Sequence, residues 1–180
     1  MSILIIDNND SFTYNLRHLL QTAQSSEPDV ISYDSIDKVD FQRYDTIVIS
    51  PGPGKPSEYP NYSKLFKSGK PIIGVCLGMQ IMAEFYGGEV SLLEDCFHGR
   101  TESIEFDGKS FEVARYHSLA ITRVPSCFTV ISSNQATVPM AMTHNEFPYI
   151  GYQFHPESFL TKNGQFFIDY AFKFINSIRA

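Results

Sequence analysis

A short apolar strand that leads straight into a cysteine between two glycines is the feature that most constrains the fold of this chain. Residues 72–75 are apolar, residues 74–78 read Gly-Val-Cys-Leu-Gly, and apolar side chains follow at helical spacing. So sharp a strand-to-helix turn pushes its central side chain out of the sheet, and a side chain at either flanking position would collide with the backbone. The positive end of the helix favours a thiolate at Cys76. Taken alone, the pattern also fits a buried structural cysteine.

A second segment contains the groups that would activate such a cysteine. Residues 151–158 read Gly-Tyr-Gln-Phe-His-Pro-Glu-Ser, which places His155 and Glu157 two positions apart. A cysteine nucleophile needs a base, and the base needs a carboxylate that fixes its tautomer. Pro156 disfavours a helix at His155, so we expect an extended segment with both side chains on one face. A solvated pair on a loop is the alternative, but combined with the cysteine turn the pattern predicts a triad.

A third segment is a stiff loop that follows another apolar strand. Residues 50–56 read Ser-Pro-Gly-Pro-Gly-Lys-Pro. An oxyanion hole needs two backbone N–H donors, one from the residue after the nucleophile and one from a neighbouring loop. We expect Leu77 and Gly52 to supply them. A phosphate-binding loop fits poorly, because Ile49 stands where its first glycine should be and Pro56 replaces its hydroxyl residue. An ordinary turn between a strand and a helix is the other alternative.

Together these segments resemble the class I (triad) glutamine amidotransferases, and more narrowly the small glutaminase subunits of anthranilate synthase and aminodeoxychorismate synthase. The glycine-flanked cysteine and the His-Pro-Glu motif mark the superfamily. Asp-Ser-Phe-Thr-Tyr-Asn near the N-terminus and Ser-Pro-Gly-Pro-Gly point to the chorismate branch. The resemblance extends in family order over residues 7–16, 50–54, 74–80, 98–100, 116–119 and 153–158. It implies a flavodoxin-like, three-layer α/β fold: a mostly parallel central sheet with helices on both faces and a small antiparallel addition.

The resemblance also implies a role for each matched position. Cys76 would be the nucleophile, His155 the base and Glu157 the carboxylate that orients it. The N–H groups of Gly52 and Leu77 would stabilise the oxyanion. The glutamine substrate would bind among Gly52, Pro53, Gly54, Gln80, Ser118 and Leu119. His117, beside this site, is a second candidate base, but we expect it to fix the loop by hydrogen bonding.

The reaction implied by the resemblance is hydrolysis of L-glutamine to glutamate through a thioester on the cysteine. Ammonia at neutral pH is mostly protonated and therefore not nucleophilic, so it would have to reach its acceptor by a shielded path. The resemblance thus implies a hetero-oligomer with a larger synthase subunit that uses chorismate. No metal or cofactor is expected on this chain, and magnesium would belong to the partner.

The chain departs from the chorismate branch at three places. Met79 stands where that branch usually has histidine, as in several sister amidotransferases, and Asn9 replaces a usual tyrosine. The stretch 106–116 is short, so a loop that is common in the family is trimmed. None of these positions belongs to the predicted triad, but they weaken the assignment to a pathway.

Composition sets further bounds on the protein class. A chain of 180 residues with 43% hydrophobic residues predicts one domain, residues 1–180, with an ample core. Net charge −6 and a pI near 5.3 argue against nucleic-acid or anionic-membrane partners. The three cysteines form no Cys-x-x-Cys pair, and Cys96 with His98 lacks a second ligand pair, so no metal site is expected. The N-terminus opens directly into a strand, and we expect a cytoplasmic protein.

The order of apolar segments predicts strand and helix positions. Four short apolar strands are expected early in the chain, at residues 3–6, 30–33, 46–49 and 72–75. A first amphipathic helix would begin with Asp10 or Ser11 as N-cap. After residue 88 the pattern changes to alternating strands at 103–106, 111–113, 129–131, 140–142 and 149–152, with a turn at Asp107-Gly108 and a final amphipathic helix.

Three other functions stay open at this point. The chain could be a glutaminase for another synthase, such as GMP synthetase or imidazole glycerol phosphate synthase, which Met79 favours and the N-terminal motif disfavours. It could be a free-standing cysteine hydrolase on the same fold. It could also be a non-catalytic regulatory subunit, although such a subunit would have no reason to keep Cys76, His155 and Glu157.

Overall fold

A central sheet with helices on both sides is the main feature of the computed structural model, which describes residues 1–93 and 99–179. The strands within these residues are β1 (Ile3–Asp7), β2 (Asp29–Ser32), β3 (Thr46–Ile49), β4 (Ile72–Val75), β5 (Glu89–Leu92), β6 (Arg100–Phe106), β7 (Lys109–Arg115), β8 (Leu119–Arg123), β9 (Phe128–Ser133), β10 (Pro139–His144) and β11 (Tyr149–Tyr152). The α-helices are α1 (Thr13–Gln24), α2 (Ser63–Phe66), α3 (Leu77–Phe85) and α4 (Gly164–Arg179). Short 3-10 helices occupy Tyr33–Lys38, Phe41–Arg43, Pro56–Glu58 and Pro60–Tyr62.

Seven strands form the central sheet in the order β2-β1-β3-β4-β11-β10-β9. The pairs from β2 to β11 are parallel, and β10 and β9 continue the sheet in antiparallel pairing. The carboxyl ends of parallel strands meet at one edge of a sheet, and ligands bind there in open α/β folds. The carboxyl ends of β3, β4 and β11 therefore lie side by side. The proline- and glycine-rich loop follows β3, the cysteine turn follows β4 and the His-Pro-Glu segment follows β11.

Alternate residues of a strand are buried on opposite faces of the sheet. Ile3 and Ile5 of β1 join the core that α1 and α4 cover, whereas Leu4 and Ile6 face the core that contains α3. Alternation of this kind follows from the two-residue period of a strand, and burial on both faces explains why the strand is continuously apolar. The predicted three-layer α/β architecture is confirmed.

The antiparallel addition consists of β9 and β10 and two separate two-stranded sheets, β5 with β8 and β6 with β7. Asp107 and Gly108 both have positive φ angles, 50° and 69°, and join β6 to β7 as a two-residue turn. The predicted hairpin turn is therefore confirmed. The sequence did not predict β5 or β8, because β5 is mostly exposed and the buried residues of β8 are adjacent, so neither strand gives an alternating apolar signal.

Helix α1 begins later than its sequence pattern indicated. The helix starts at Thr13, and Phe12 is its N-cap without a side-chain hydrogen bond, so the prediction of Asp10 or Ser11 as N-cap is wrong. The Asp10 carboxylate instead accepts the N–H of Phe12 at 2.7 Å within the preceding turn. A short acidic side chain can accept hydrogen bonds in a turn as well as at a helix N-terminus, and Asp10 stabilises the turn before α1. Among the described residues, no helix is long and apolar enough to span a membrane.

Candidate active site

Cys76 occupies a strained turn between β4 and α3. Its backbone has φ 51° and ψ −104°, and its N–H donates to the Tyr152 carbonyl at 2.7 Å. A Cβ added to Gly74 would lie 2.7 Å from the backbone of Gly78, and one added to Gly78 would lie 2.5 Å from the Ile49 carbonyl oxygen. Both glycines are thus required by close backbone approach, as the sequence predicted. The side chain of Cys76 is held above the end of the sheet.

His155 and Glu157 form a buried ion pair next to this turn. His155 Nδ1 and Glu157 Oε1 are 2.7 Å apart, and the two side chains are 3% and 0% exposed. Burial opposes protonation of His155, but the negative charges of Glu157 and Cys76 outweigh it and raise the His155 pKa well above its usual range. Among the described residues, no group meets His155 Nε2 at hydrogen-bonding geometry, while Cys76 is near enough to raise the His155 pKa, so this nitrogen is placed to exchange a proton with Cys76.

The segment that carries this pair is a turn and not the extended segment that the sequence predicted. Ser158 N–H donates to the His155 carbonyl at 3.2 Å, and Pro156 occupies the second position of the turn. Proline is favoured there because its fixed φ suits a type I or II turn. The predicted contact between the two side chains is correct, but its cause is the reversal of the chain.

Two aromatic rings pack against the His155 imidazole. The ring centroids of Tyr116 and Phe12 lie 5.0 and 5.8 Å from it, both edge-on, and 5.2 Å from each other. The Tyr116 hydroxyl is 3.2 Å from Ser158 Oγ. These contacts limit rotation of the imidazole and hold it in the orientation that the Glu157 bond requires.

The proline- and glycine-rich loop is fixed against the start of the chain. The Asn8 side chain donates to the Ser50 carbonyl at 2.9 Å, and the Tyr59 hydroxyl donates to the Pro53 carbonyl at 2.9 Å. A Cβ on Gly52 would lie 2.6 Å from Asn8 Cβ and 2.8 Å from the backbone oxygen of the same residue. It would also lie 2.8 Å from the Leu77 side chain, so the glycine lets the loop backbone approach both Asn8 and the nucleophile turn.

The phosphate-loop alternative is wrong. The Lys55 N–H donates to a Glu58 carboxylate oxygen at 3.1 Å, and the same carboxylate would contact a Cβ placed on Gly54. The Glu58 carboxylate therefore occupies the position that a phosphate would need in order to reach the N–H groups of the loop. The 3-10 helix that follows has only three residues and offers no long helix end.

One cavity lies between the proline- and glycine-rich loop, the cysteine turn and residues 116–119. Its volume is about 160 Å³, and every residue predicted as nucleophile, oxyanion donor or glutamine ligand lines it, together with Tyr116 and His117. The base His155 and its carboxylate Glu157 do not line it. The lining residues are Gly52, Pro53, Gly54, Cys76, Leu77, Gln80, Tyr116, His117, Ser118 and Leu119. Leu77 lies in the first turn of α3, where N–H groups have no acceptor within the helix, so its N–H suits the predicted oxyanion role.

His117 is a structural residue of the cavity wall. Its Nε2 accepts the Arg115 Nε–H at 3.0 Å, so Nδ1 carries the proton and donates to the Leu119 carbonyl at 2.8 Å. Burial, together with the positive charge of Arg115, lowers the His117 pKa to about 4. The imidazole is therefore neutral near pH 7 with both nitrogens engaged, which supports the predicted loop-fixing role over a second base.

Gln153 is the site residue that sequence reasoning missed. Its side-chain amide is fully buried, with Nε2 3.6 Å from Cys76 Sγ and Oε1 accepting from Gln80 Nε2 at 3.0 Å. The sequence places Gln153 two residues before His155, but nothing in that spacing shows that β11 ends beside β4. The signal that could have found it is its position directly after a predicted buried strand.

The departures at Met79 and Asn9 lie outside the cavity. Met79 is fully buried, and its side chain would be only 2.7 Å from a Cβ on Gly151, so it packs against β11. Asn9 is exposed and has φ 62°, a left-handed conformation that asparagine tolerates better than most residues. The short 106–116 stretch contains the end of β6, the two-residue turn and the whole of β7.

No group of three or more His, Cys, Asp and Glu side chains in residues 1–93 and 99–179 is arranged to hold a metal ion. Cys96 and His98, the pair considered from the sequence, lie outside the described residues. The expectation that this chain carries no cofactor stays a prediction.

Comparison with known proteins decides the family. The protein-family model described as glutamine amidotransferase class I matches residues 4–174. The chain belongs to the class I glutamine amidotransferases. This amidotransferase is 42% identical to the aminodeoxychorismate/anthranilate synthase component 2 of Bacillus subtilis, over 91% of each chain. It is 39% identical to an aminodeoxychorismate synthase of Streptomyces griseus, over 91% of this chain but only 25% of that longer protein.

The fold of this amidotransferase is also found in solved structures. A Thermoplasma acidophilum protein proposed to belong to a GMP synthase superposes with a TM-score of 0.85, covering 99% of this chain and 96% of its own. The two sequences are only 20% identical, so this similarity concerns the fold alone.

Proposed function

We propose that this chain is the glutaminase subunit of a synthase that uses chorismate. It would hydrolyse L-glutamine and pass the ammonia to a larger partner that makes anthranilate, aminodeoxychorismate or both. The observation that carries the glutaminase chemistry is the buried His155–Glu157 pair beside Cys76, whose own side chain lines a small cavity. The similarity to component 2 of aminodeoxychorismate/anthranilate synthase supports the chorismate branch.

In the proposed reaction, the Cys76 sulfur attacks the side-chain amide carbon of glutamine. The N–H groups of Gly52 and Leu77 stabilise the oxyanion, and the nitrogen takes a proton from the His155 imidazolium as the C–N bond breaks. Ammonia leaves, and the glutamyl group remains on sulfur as a thioester. His155 then takes a proton from water while the water oxygen attacks the thioester carbon. The C–S bond breaks and yields glutamate and the thiolate.

The cavity suits glutamine in a specific way. Gln80 Nε2 donates to the Leu119 carbonyl at 2.9 Å and to Gln153, so both of its N–H groups are engaged. Its carbonyl oxygen is left to accept a hydrogen bond from a ligand, such as the α-ammonium group of an amino acid. Mg²⁺ would belong to the partner, and the cytoplasmic location expected from the sequence stays a prediction.

The Streptomyces relative supports a physical link to the synthase. The part that matches this chain is a quarter of that protein, whose name is that of the whole synthase. For this chain we propose the same association between separate subunits, as the name "component 2" of the Bacillus relative indicates.

The test is glutamate release from glutamine by the purified chain, measured alone and after addition of the chorismate-utilising subunit or the GMP synthetase subunit of the same organism. We expect weak activity alone and stimulation by the chorismate enzyme only. Stimulation by the GMP enzyme would assign another pathway, full activity without any partner would favour a free-standing hydrolase, and no activity under any condition would contradict the proposal.

A further inference from the structure

Gln153 and Cys76 follow neighbouring parallel strands, and this brings a buried amide to the sulfur. Tyr152 of β11 pairs with Val75 of β4, so the next residue of each strand leaves the sheet at the same edge. Gln153 is anchored there by its backbone N–H, which donates to the Met140 carbonyl at 2.9 Å. Its side-chain Nε2 lies 3.6 Å from Cys76 Sγ.

The direction of this hydrogen bond is determined by the network behind it. The Leu119 carbonyl can only accept, so the group of Gln80 that lies 2.9 Å from it must be its nitrogen. The same nitrogen is 3.0 Å from one end of the Gln153 amide, which must therefore be the oxygen. The other end of the Gln153 amide, the NH₂ group, is then turned toward the sulfur.

The hydrogen-bond network behind the Leu119 carbonyl ends at Arg115, a side chain that cannot accept a hydrogen bond. Arg115 carries only donors, so its Nε–H fixes His117 Nε2 as an acceptor and His117 Nδ1 as a donor to the Leu119 carbonyl. The guanidinium is itself held by Glu102 through a 2.6 Å bond. Every amide and ring orientation from Arg115 to the nucleophile is thus set, because flipping the Gln153 amide would place its NH₂ group against the NH₂ group of Gln80.

We propose that Gln153 is a further catalytic residue, whose side-chain N–H donates to the Cys76 sulfur and stabilises its thiolate. A thiolate accepts a hydrogen bond more strongly than a thiol or a thioester, because the charge resides on sulfur. The bond therefore favours the thiolate before attack and again when sulfur leaves the thioester. Gln80 acts as the positioning residue that keeps the NH₂ group turned toward sulfur. The inference rests on the proposed role of Cys76 as nucleophile.

The test is the pH dependence of Cys76 alkylation by iodoacetamide in Gln153→Met and Gln153→Glu. Methionine has a similar length and cannot donate, and we expect the midpoint of the alkylation profile to rise by about one pH unit. Glutamate keeps an acceptor for Gln80 and adds a negative charge, so its midpoint should rise further. The kcat for glutamine hydrolysis should fall by a larger factor than the KM for glutamine rises. Gln165→Met, on the half-buried face of α4, is the matched control.

Thermal unfolding separates this role from packing. A lower melting temperature with an unchanged alkylation midpoint in both variants would overturn the proposal, because a merely structural amide would destabilise the fold without affecting thiolate formation. If Gln153→Met does not fold, Gln153→Glu decides the outcome. Alkylation needs no glutamine, so a raised midpoint in a chain without glutaminase activity would support the role of Gln153 and contradict the proposed function.

Discussion

The backbone N–H of Cys76 donates to the carbonyl of Tyr152 at 2.7 Å, and this bond ties the nucleophile turn to the strand that precedes the base. Because β4 and β11 are parallel and adjacent, the two segments after them leave the sheet at one edge. The register of the β4–β11 pair thus brings together Cys76 and His155, which are 79 positions apart in the chain.

Cys76 should be the most reactive thiol of the protein. Its sulfur lies at the start of α3 and beside His155, whereas burial raises the pKa of the half-buried Cys127. Brief iodoacetamide treatment near pH 7 followed by peptide mapping should label Cys76 at least tenfold faster than Cys127, by an order-of-magnitude argument from thiolate fraction. Equal labelling of the thiols, Cys96 included, would remove the argument for an activated cysteine.

Glu157→Gln should keep the fold and the affinity for glutamine but lower turnover by roughly 100-fold or more. The amide removes the charge that raises the His155 pKa and holds the imidazole in place. Steady-state kinetics with glutamine measure the effect, and Glu112→Gln on the exposed side of β7 is a suitable control. Unchanged turnover would mean that another group orients the base.

Gly78→Ala should destabilise the protein strongly, because the new methyl group would lie 2.5 Å from the Ile49 carbonyl oxygen. We expect a loss of about 2 to 4 kcal/mol in the free energy of unfolding. Gly87→Ala is the control: nothing lies in the way, and only its positive φ of 86° adds strain, about 1 kcal/mol. Urea unfolding compares them, and equal losses would show that close packing does not set the turn.

Much of this site could be predicted from local pattern, and the part that could not depends on tertiary contacts. The cysteine turn was predictable because the spacing of Gly74 and Gly78 around a cysteine indicates close backbone contact at a strand-to-helix turn, which few folds require. The contact of His155 with Glu157 was also predicted, but the turn that makes it depends on a Ser158 hydrogen bond that spacing does not show. Gln153 was missed because its orientation depends on Gln80 in helix α3, which is distant from it in the sequence.

Stability should decrease in mildly acidic solution because of His117. Its pKa falls from the ordinary 6.5 to about 4 on folding, so between these values the unfolded chain binds more protons than the folded one. The His117 contribution is therefore complete above pH 6.5 and is lost as the pH falls toward 4, by about 2 kcal/mol between pH 7.5 and 5. His117→Gln should reduce this decline in urea unfolding. An equally steep decline in the variant would assign it to other groups.

The most direct test of the account is product formation by the complex of Cys76→Ser with the chorismate-utilising subunit. Serine is nearly isosteric, so the fold and the interface should be preserved, but its hydroxyl ionises far less readily than a thiol. We predict that glutamine-dependent product formation disappears while synthesis from added ammonium salt continues at close to the wild-type rate. Glutamine-dependent synthesis that continues in the variant would contradict the account, and so would loss of the ammonium-dependent reaction in an intact complex.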